Sequence, residues 1–378
     1  EVLEELPVQN VVSWNALIAG YAQQGESDRA FNCFERMKSE GFSPDSVTFT
    51  CLLKACGSAG AIDKGEQIHD EIMNRGLLGN DIVLGNALVD MYAKCGVLTK
   101  AKNVLEELPF RTVVSWCALI AGYAQQGQGR EALECFEWMQ SDGFLPDLVT
   151  FTCILKACGS TGAIDKGKQI HDVILSKGLL DKDSMLGTAL VDMYAKCGVP
   201  AKAQEVLEAL PGRNVVSWTA LIAGFTEHSS GQDVLKHFEQ MQHEGLSPNA
   251  ITFTSILNGY GISGAIDRGK KLHDEILSNG MLEKDHVLQV ALVNMYIKCG
   301  ALAKAREAME ELSVKCMTLW TSLISGYAQQ GQSHEALDCF ERMQREGFSP
   351  NTITFLCVLR ACGNLGAIYK GNQIHKQI

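Results

Sequence analysis

Two histidines open an H-x-E trio, His69-Asp70-Glu71 and His273-Asp274-Glu275. That trio is half of a zinc-deaminase pattern, in which one His and two Cys hold a zinc that activates water and the Glu shuttles the proton. The other half, C-x-x-C, occurs nowhere in the chain. The nearest cysteine pairs, Cys51/Cys56, Cys153/Cys158 and Cys357/Cys362, are five residues apart, so on one helix they point in different directions. The same column reads His171-Asp172-Val173 elsewhere, without the Glu. No metal site is expected, and no phosphate loop or dinucleotide fingerprint supplies a cofactor site. Twelve of the 14 cysteines fall in four repeating columns, Cys33/135/339, Cys51/153/357, Cys56/158/362 and Cys95/197/299. His237, Ser255 and Tyr260 stand at sibling positions, an interchange that fits packing residues in a reducing compartment better than ligands or disulfides. The residues predict no catalytic constellation and no enzyme.

The elements behind these columns form a repeat. Trp14, Trp116, Trp218 and Trp320 are 102 residues apart, and so are Pro44, Pro146, Pro248 and Pro350. The histidine column (His69, His171, His273, His375) and the Lys-Cys-Gly column (Lys94, Lys196, Lys298) keep the same step. A length of 378 residues suggests two or three domains by itself. Four columns in one register predict instead one array over 1–378, with triplets at 11–112, 113–214 and 215–316, a partial triplet at 317–378 and a leading tail at 1–10. Each triplet divides into segments of 35, 36 and 31 residues, such as 11–45, 46–81 and 82–112. Every segment reads as a helix, a Gly turn, a second helix and a loop. Gly25, Gly127 and Gly331 end first helices; Gly41, Gly143, Gly245 and Gly347 end second helices, with Pro three residues on. A helical hairpin with an apolar face too large to hide alone must stack on its neighbours. The fold class is therefore all-α, an α-solenoid of about eleven hairpins and 22 helices.

At about 100° per residue, segment positions 4, 7, 8 and 11 form one stripe, here Trp14, Leu17, Ile18 and Tyr21, the expected core. Positions 2, 5, 9 and 13 form the opposite one. It carries amides, hydroxyls and repeated cations: Lys54, Lys156 and Arg360 at position 9, and Lys94, Lys196 and Lys298 at position 13. These six are candidates to track a phosphate backbone. The overall charge opposes that reading, with 33 Lys and Arg against 44 Asp and Glu, a net −11. Apolar residues are 46% and charged residues 20%, ordinary globular usage, and no run is long enough to span a membrane.

The segment VVSWNALIAGYAQQG…AFNCFERMKSEGFSPD resembles a pentatricopeptide repeat. The alternation of 35, 36 and 31 residues resembles the P, L and S motifs of the PLS subclass, and tetratricopeptide repeats, with their uniform 34-residue period, are excluded. The resemblance implies sequence-specific binding of single-stranded RNA, one nucleotide per motif. In that family position 2 packs against the base. Here it holds Val12, Val47, Val83, Val114, Val149, Met185, Val216, Ile251, Val287, Thr318 and Ile353, apolar in ten of eleven cases on an otherwise polar face. Position 5 and the last residue of the motif read the base edge. Asn15 with Asp45 resembles a uracil pair, and Thr219 with Asn249, Thr321 with Asn351 and Thr188 with Asn214 resemble adenine pairs. The L motifs hold Thr50 with Asp81, Thr152 with Asp183 and Thr254 with Asp285. Three pairs depart from the pattern: Asn86 with Thr112, Cys117 with Asp147, and Val290 with Cys316, the last nearly without hydrogen-bonding capacity.

The resemblance further implies a plastid or mitochondrial location, organelle RNA as partner, editing or processing proteins as further partners, and neither a membrane nor a small-molecule substrate. The chain opens inside a short motif and closes inside a long one, so a piece of a longer protein is expected, in a family whose members often carry C-terminal extensions. Two function classes stay open: the specificity module of an RNA editing or processing factor, and a helical scaffold for protein partners.

Overall fold

The structure is a computed structural model that describes residues 10–79, 81–180, 183–228, 231–283, 285–312 and 315–377. The leading tail, residues 1–9, lies outside the described residues. Among those described there are 22 α-helices, one short 3₁₀ turn at Leu77–Gly79 and no strand. The first triplet shows the plan. Its helices are α1 (Val11–Gln23), α2 (Ser27–Ser39), α3 (Ser46–Ala59), α4 (Ile62–Asn74), α5 (Ile82–Lys94) and α6 (Leu98–Glu107). One hairpin fills each of the three segments.

Local chemistry sets the boundaries. The last residue of one segment caps the first helix of the next. Asp45 Oδ1 accepts the Thr48 N–H at 2.9 Å, Asn10 Oδ1 accepts that of Ser13 at 2.9 Å, and Thr112 Oγ1 accepts that of Ser115 at 3.2 Å. Each satisfies a helix-end donor that has no partner inside the helix. Cys316 cannot do this and makes no side-chain cap on the helix it precedes, Met317–Gln329. Helix ends turn through left-handed backbone at Gly25 (φ 74°) and Gly41 (φ 84°), where any side chain would be strained.

The chain forms two compact units, 1–193 and 194–378. In the first, α1 packs on α2 and α3, α3 on α5, and α5 on the next first helix, Val113–Gln125. In the second, the first helices Val215–His228, Ala250–Ser263, His286–Lys298, Met317–Gln329 and Thr352–Leu365 stack in turn. The core is the expected stripe: the four tryptophans are 1–4% exposed. Second helices press close at Gly65 and Gly269, where an added Cβ would meet Met91 Sδ at 2.5 Å and Met295 Sδ at 2.6 Å. All 14 cysteines are free thiols, and no group of His, Cys, Asp or Glu among the described residues is placed to hold a metal. His69 and His273 are packing residues instead. Their Nδ1 atoms lie 2.9 and 3.1 Å from the hydroxyls of Tyr92 and Tyr296. No helix among the described residues is long and apolar enough to cross a membrane.

Candidate nucleic-acid interface

The position-2 column stands out in solution. Val12, Val47, Val83, Val114, Val149, Met185, Val216, Ile251, Val287 and Ile353 are 56–73% exposed, although all but Ile353 sit two residues from a buried position. Thr318 is exposed as well. A recurring apolar side chain held in water, in register along the array, makes this column a candidate ligand surface.

Position 5 behaves differently from its place on a helical wheel. Asn15, Thr50, Cys117, Thr219 and Thr321 are only 7–9% exposed, and Asn86, Thr152, Thr188, Thr254 and Val290 are half-buried. The next segment covers them, and it brings position 5 to the last residue of the same segment. Asn15 Nδ2 donates to Asp45 Oδ1 at 2.9 Å, Thr112 Oγ1 donates to Asn86 Oδ1 at 3.0 Å, and Cys117 Sγ donates to Asp147 Oδ1 at 3.4 Å. Thr219 and Asn249 meet through Thr252: its hydroxyl is 2.6 Å from Thr219 Oγ1 and 2.9 Å from Asn249 Oδ1. Thr354 joins Thr321 and Asn351 in the same way, at 3.0 and 2.8 Å. The 36-residue segments lack such a link. Thr50 and Thr152 bond their own helix, to Ser46 O at 2.8 Å and Leu148 O at 2.9 Å, while Asp81 caps Leu84 and Asp183 bonds Met185 N. Thr188 bonds Ser184 O, Asn214 caps Ser217, and Asp285 bonds Val287 N and Leu288 N.

The capping geometry keeps the carboxylates charged. Partial burial pushes Asp45 up, but hydrogen bonds from the Thr48 N–H, the Asn15 amide and the Thr48 hydroxyl outweigh it and hold the group below the usual carboxylate range. Asp147 is held low in the same manner, against burial, by the Thr150 N–H and hydroxyl and by Cys117. Burial pushes the Cys117 thiol up to about 12, so it is neutral and can act as a donor.

In the first unit these residue classes line one groove. A cavity of about 510 Å³ is bounded by Val83, Val114 and Val149 from position 2, Thr50, Asn86 and Cys117 from position 5, the cap Asp147, and Lys54 from position 9. Lys54, Lys94, Lys156, Lys196, Lys298 and Arg360 are all exposed. Lys94 is not a free cation: its Nζ is 2.7 Å from Asp90 on the same helix.

The charge of −11 is unevenly spread, a point the whole-chain sum concealed. The eleven first helices hold these six cations and three carboxylates, Asp90, Asp192 and Glu227. Acidic residues concentrate on the second helices, where many are paired, as in Lys100 with Glu66 and Arg306 with Asp338. The cap aspartates add negative charge to the groove, with Asp45 and Asp147 each accepting hydrogen bonds from the following helix and from position 5. Sequence reasoning also missed Thr48, Thr150, Thr252 and Thr354, which repeat at the same step of 102.

Family models described as PPR repeat family match residues 9–58, 111–160, 213–262 and 315–364, and others described as PPR repeat match 47–77, 86–111, 149–179 and 251–281. A mitochondrial pentatricopeptide repeat-containing protein of Arabidopsis thaliana is 36% identical over all of this chain, which spans 37% of that relative. A chloroplastic one from the same plant is 35% identical over 99% of the chain, which spans 60% of it. Among solved structures, the pentatricopeptide repeat protein PPR10 in complex with an 18-nt psaJ RNA element superposes with a TM-score of 0.71 at 18% identity, over 96% of this chain and 59% of that one, a likeness of fold. The repeat, the hairpin geometry and these matches agree: the chain belongs to the pentatricopeptide repeat family.

Proposed function

We propose that this chain is the specificity module of an organelle RNA editing or processing factor of the PLS subclass, and that it binds single-stranded RNA at one nucleotide per motif. The exposed position-2 column carries the reading. A row of apolar side chains in water, beside linked polar pairs in the 35-residue segments and in Asn86/Thr112, gives these motifs a surface to pack a base and groups to test its edge. The first helices supply cations for the backbone while most acids lie on the other layer. PPR10 was solved with an RNA element, and relatives are named mitochondrial or chloroplastic, which supports RNA as ligand and an organelle as location. Because the chain spans only part of its relatives, the activity of the whole protein is part of this proposal. No cofactor, metal or catalytic step is assigned to these residues.

With the pairs Asn15/Asp45, Thr188/Asn214, Thr219/Asn249 and Thr321/Asn351 as readers, the target is 5′-U, four free positions, A, A, two free positions, A. A mobility-shift titration at fixed salt should favour this sequence over one with every A changed to C. Each wrong base should cost roughly 1–3 kcal/mol, by analogy with groove readout. Equal affinity for the two would remove the base-reading claim, and no binding of either by the folded chain would leave a protein-binding scaffold.

A further inference from the structure

We propose that the buried threonine at position 3 of each 36-residue segment, Thr48, Thr150, Thr252 and Thr354, is a positioning residue that sets the base selectivity of the motif before it. The proposal rests on the base-reading function above. All four side chains are fully buried. Each hydroxyl lies within hydrogen-bonding distance of both members of the preceding pair. Thr48 Oγ1 is 2.6 Å from Asn15 Oδ1 and 2.9 Å from Asp45 Oδ1; Thr150 Oγ1 is 2.7 Å from Cys117 Sγ and 2.7 Å from Asp147 Oδ1. Thr252 and Thr354 repeat this for Thr219/Asn249 and Thr321/Asn351. Two units and four independent copies therefore share one geometry.

Counting hydrogens shows what the hydroxyl does. The single Thr48 hydroxyl hydrogen is shared between Asn15 Oδ1 and Asp45 Oδ1, which keeps the amide oxygen turned inward, and one Nδ2 hydrogen is spent on Asp45 Oδ1. What is left for a base is one Nδ2 hydrogen and the second carboxylate oxygen, a donor beside an acceptor. At Asn249, the Thr252 N–H and hydroxyl both reach Oδ1, so only the NH₂ group is left over. The threonine thus decides which atoms of the pair are available, without needing to touch RNA.

The other segments provide the contrast. Behind the pairs of the 36-residue segments the same place holds Leu84, Leu186 and Leu288, fully buried and without a hydroxyl. Behind the first two 31-residue segments, Ser115 and Ser217 turn their hydroxyls to the backbone carbonyls of Thr112 and Asn214, at 2.9 Å each, and behind the third stands buried Leu319. Selectivity should accordingly be strongest in the 35-residue segments and weakest in the 36-residue ones.

The test uses Thr48→Val, which keeps shape and removes the hydroxyl, and Thr48→Ser, which restores it. Binding of the full chain is measured by fluorescence anisotropy with ten-nucleotide RNAs that differ only at the first nucleotide, U against C, A and G. Wild type should prefer U by about fivefold or more. Thr48→Val should bring that preference to within about twofold, leave affinity for the disfavoured RNAs unchanged, and leave selectivity at the nucleotide facing Thr219/Asn249 intact. Thr48→Ser should recover it. A Thr48→Val chain that keeps the wild-type preference for U overturns the proposal. A wild type with no preference at any nucleotide overturns the base reading itself, a distinct result. Thr252→Val, read at its adenine, repeats the test where Thr48→Val fails to fold.

Discussion

Val12 and Trp14 are two residues apart on α1, yet one is 73% exposed and the other 1%. Both are apolar, both recur at a step of 102, and composition treats them alike. Their difference is one of partner. Trp14 is covered by its own hairpin and the next one. Val12 is left largely uncovered by the described residues. The first helices thus carry a buried face that holds the stack together and an exposed one that the proposed reading gives to RNA, and mutation can separate the two.

The largest expected effect is on the first face. Trp116→Ala removes a side chain that is almost fully buried and should lower stability by ~3–5 kcal/mol, read by urea denaturation. At a temperature where the variant is still folded, its matched-RNA affinity should be close to wild type. Unchanged stability with lost binding would exchange the two faces. The converse variant is Val114→Ala. Its side chain is exposed, so stability should stay within about 0.5 kcal/mol. RNA affinity should fall by about 1–1.5 kcal/mol, the packing of the deleted methyl groups on a base. A full loss of stability there would mean that position 2 holds neighbouring hairpins together.

The two faces were not equally legible. The array, the hairpins and the tryptophan core follow from spacing, because a solenoid repeats its contacts with its sequence. The position-2 column was legible as an apolar exception on a polar stripe. Position 5 was not, because a helical wheel describes one helix and Asn15 is buried by Thr48, 33 residues later. The H-x-E motif could be set aside on cysteine spacing, but the role of its histidine could not be read for a related reason. His69 is held by Tyr92, a contact that only packing reveals. The pairing of Lys94 with Asp90 could be read in the sequence, since four residues on a helix bring side chains together. The charge objection came from summing over both helix layers; the first helices alone tell a different story.

Acid separates the two faces by a smaller amount. Burial pushes His69, His237 and His273 below the usual histidine range, and nearby acids, such as Asp70 and Glu107 beside His69, only partly oppose it. The folded chain therefore resists the protons that the unfolded chain accepts below about pH 6.5. Stability should be level above that pH and fall as the pH drops through the lower folded values. The cap carboxylates titrate at lower pH: Asp45 and Asp147 are held below the ordinary carboxylate range and keep their charge throughout this range. Between pH 7.5 and 5.5 the melting temperature should thus decline while the preference for U at the first nucleotide stays constant. Replacing His69 and His273 by Gln should flatten the decline and leave the preference alone. A preference that fell in step with the melting temperature would show that base reading depends on the packing layer, and the separation of the two faces would fail.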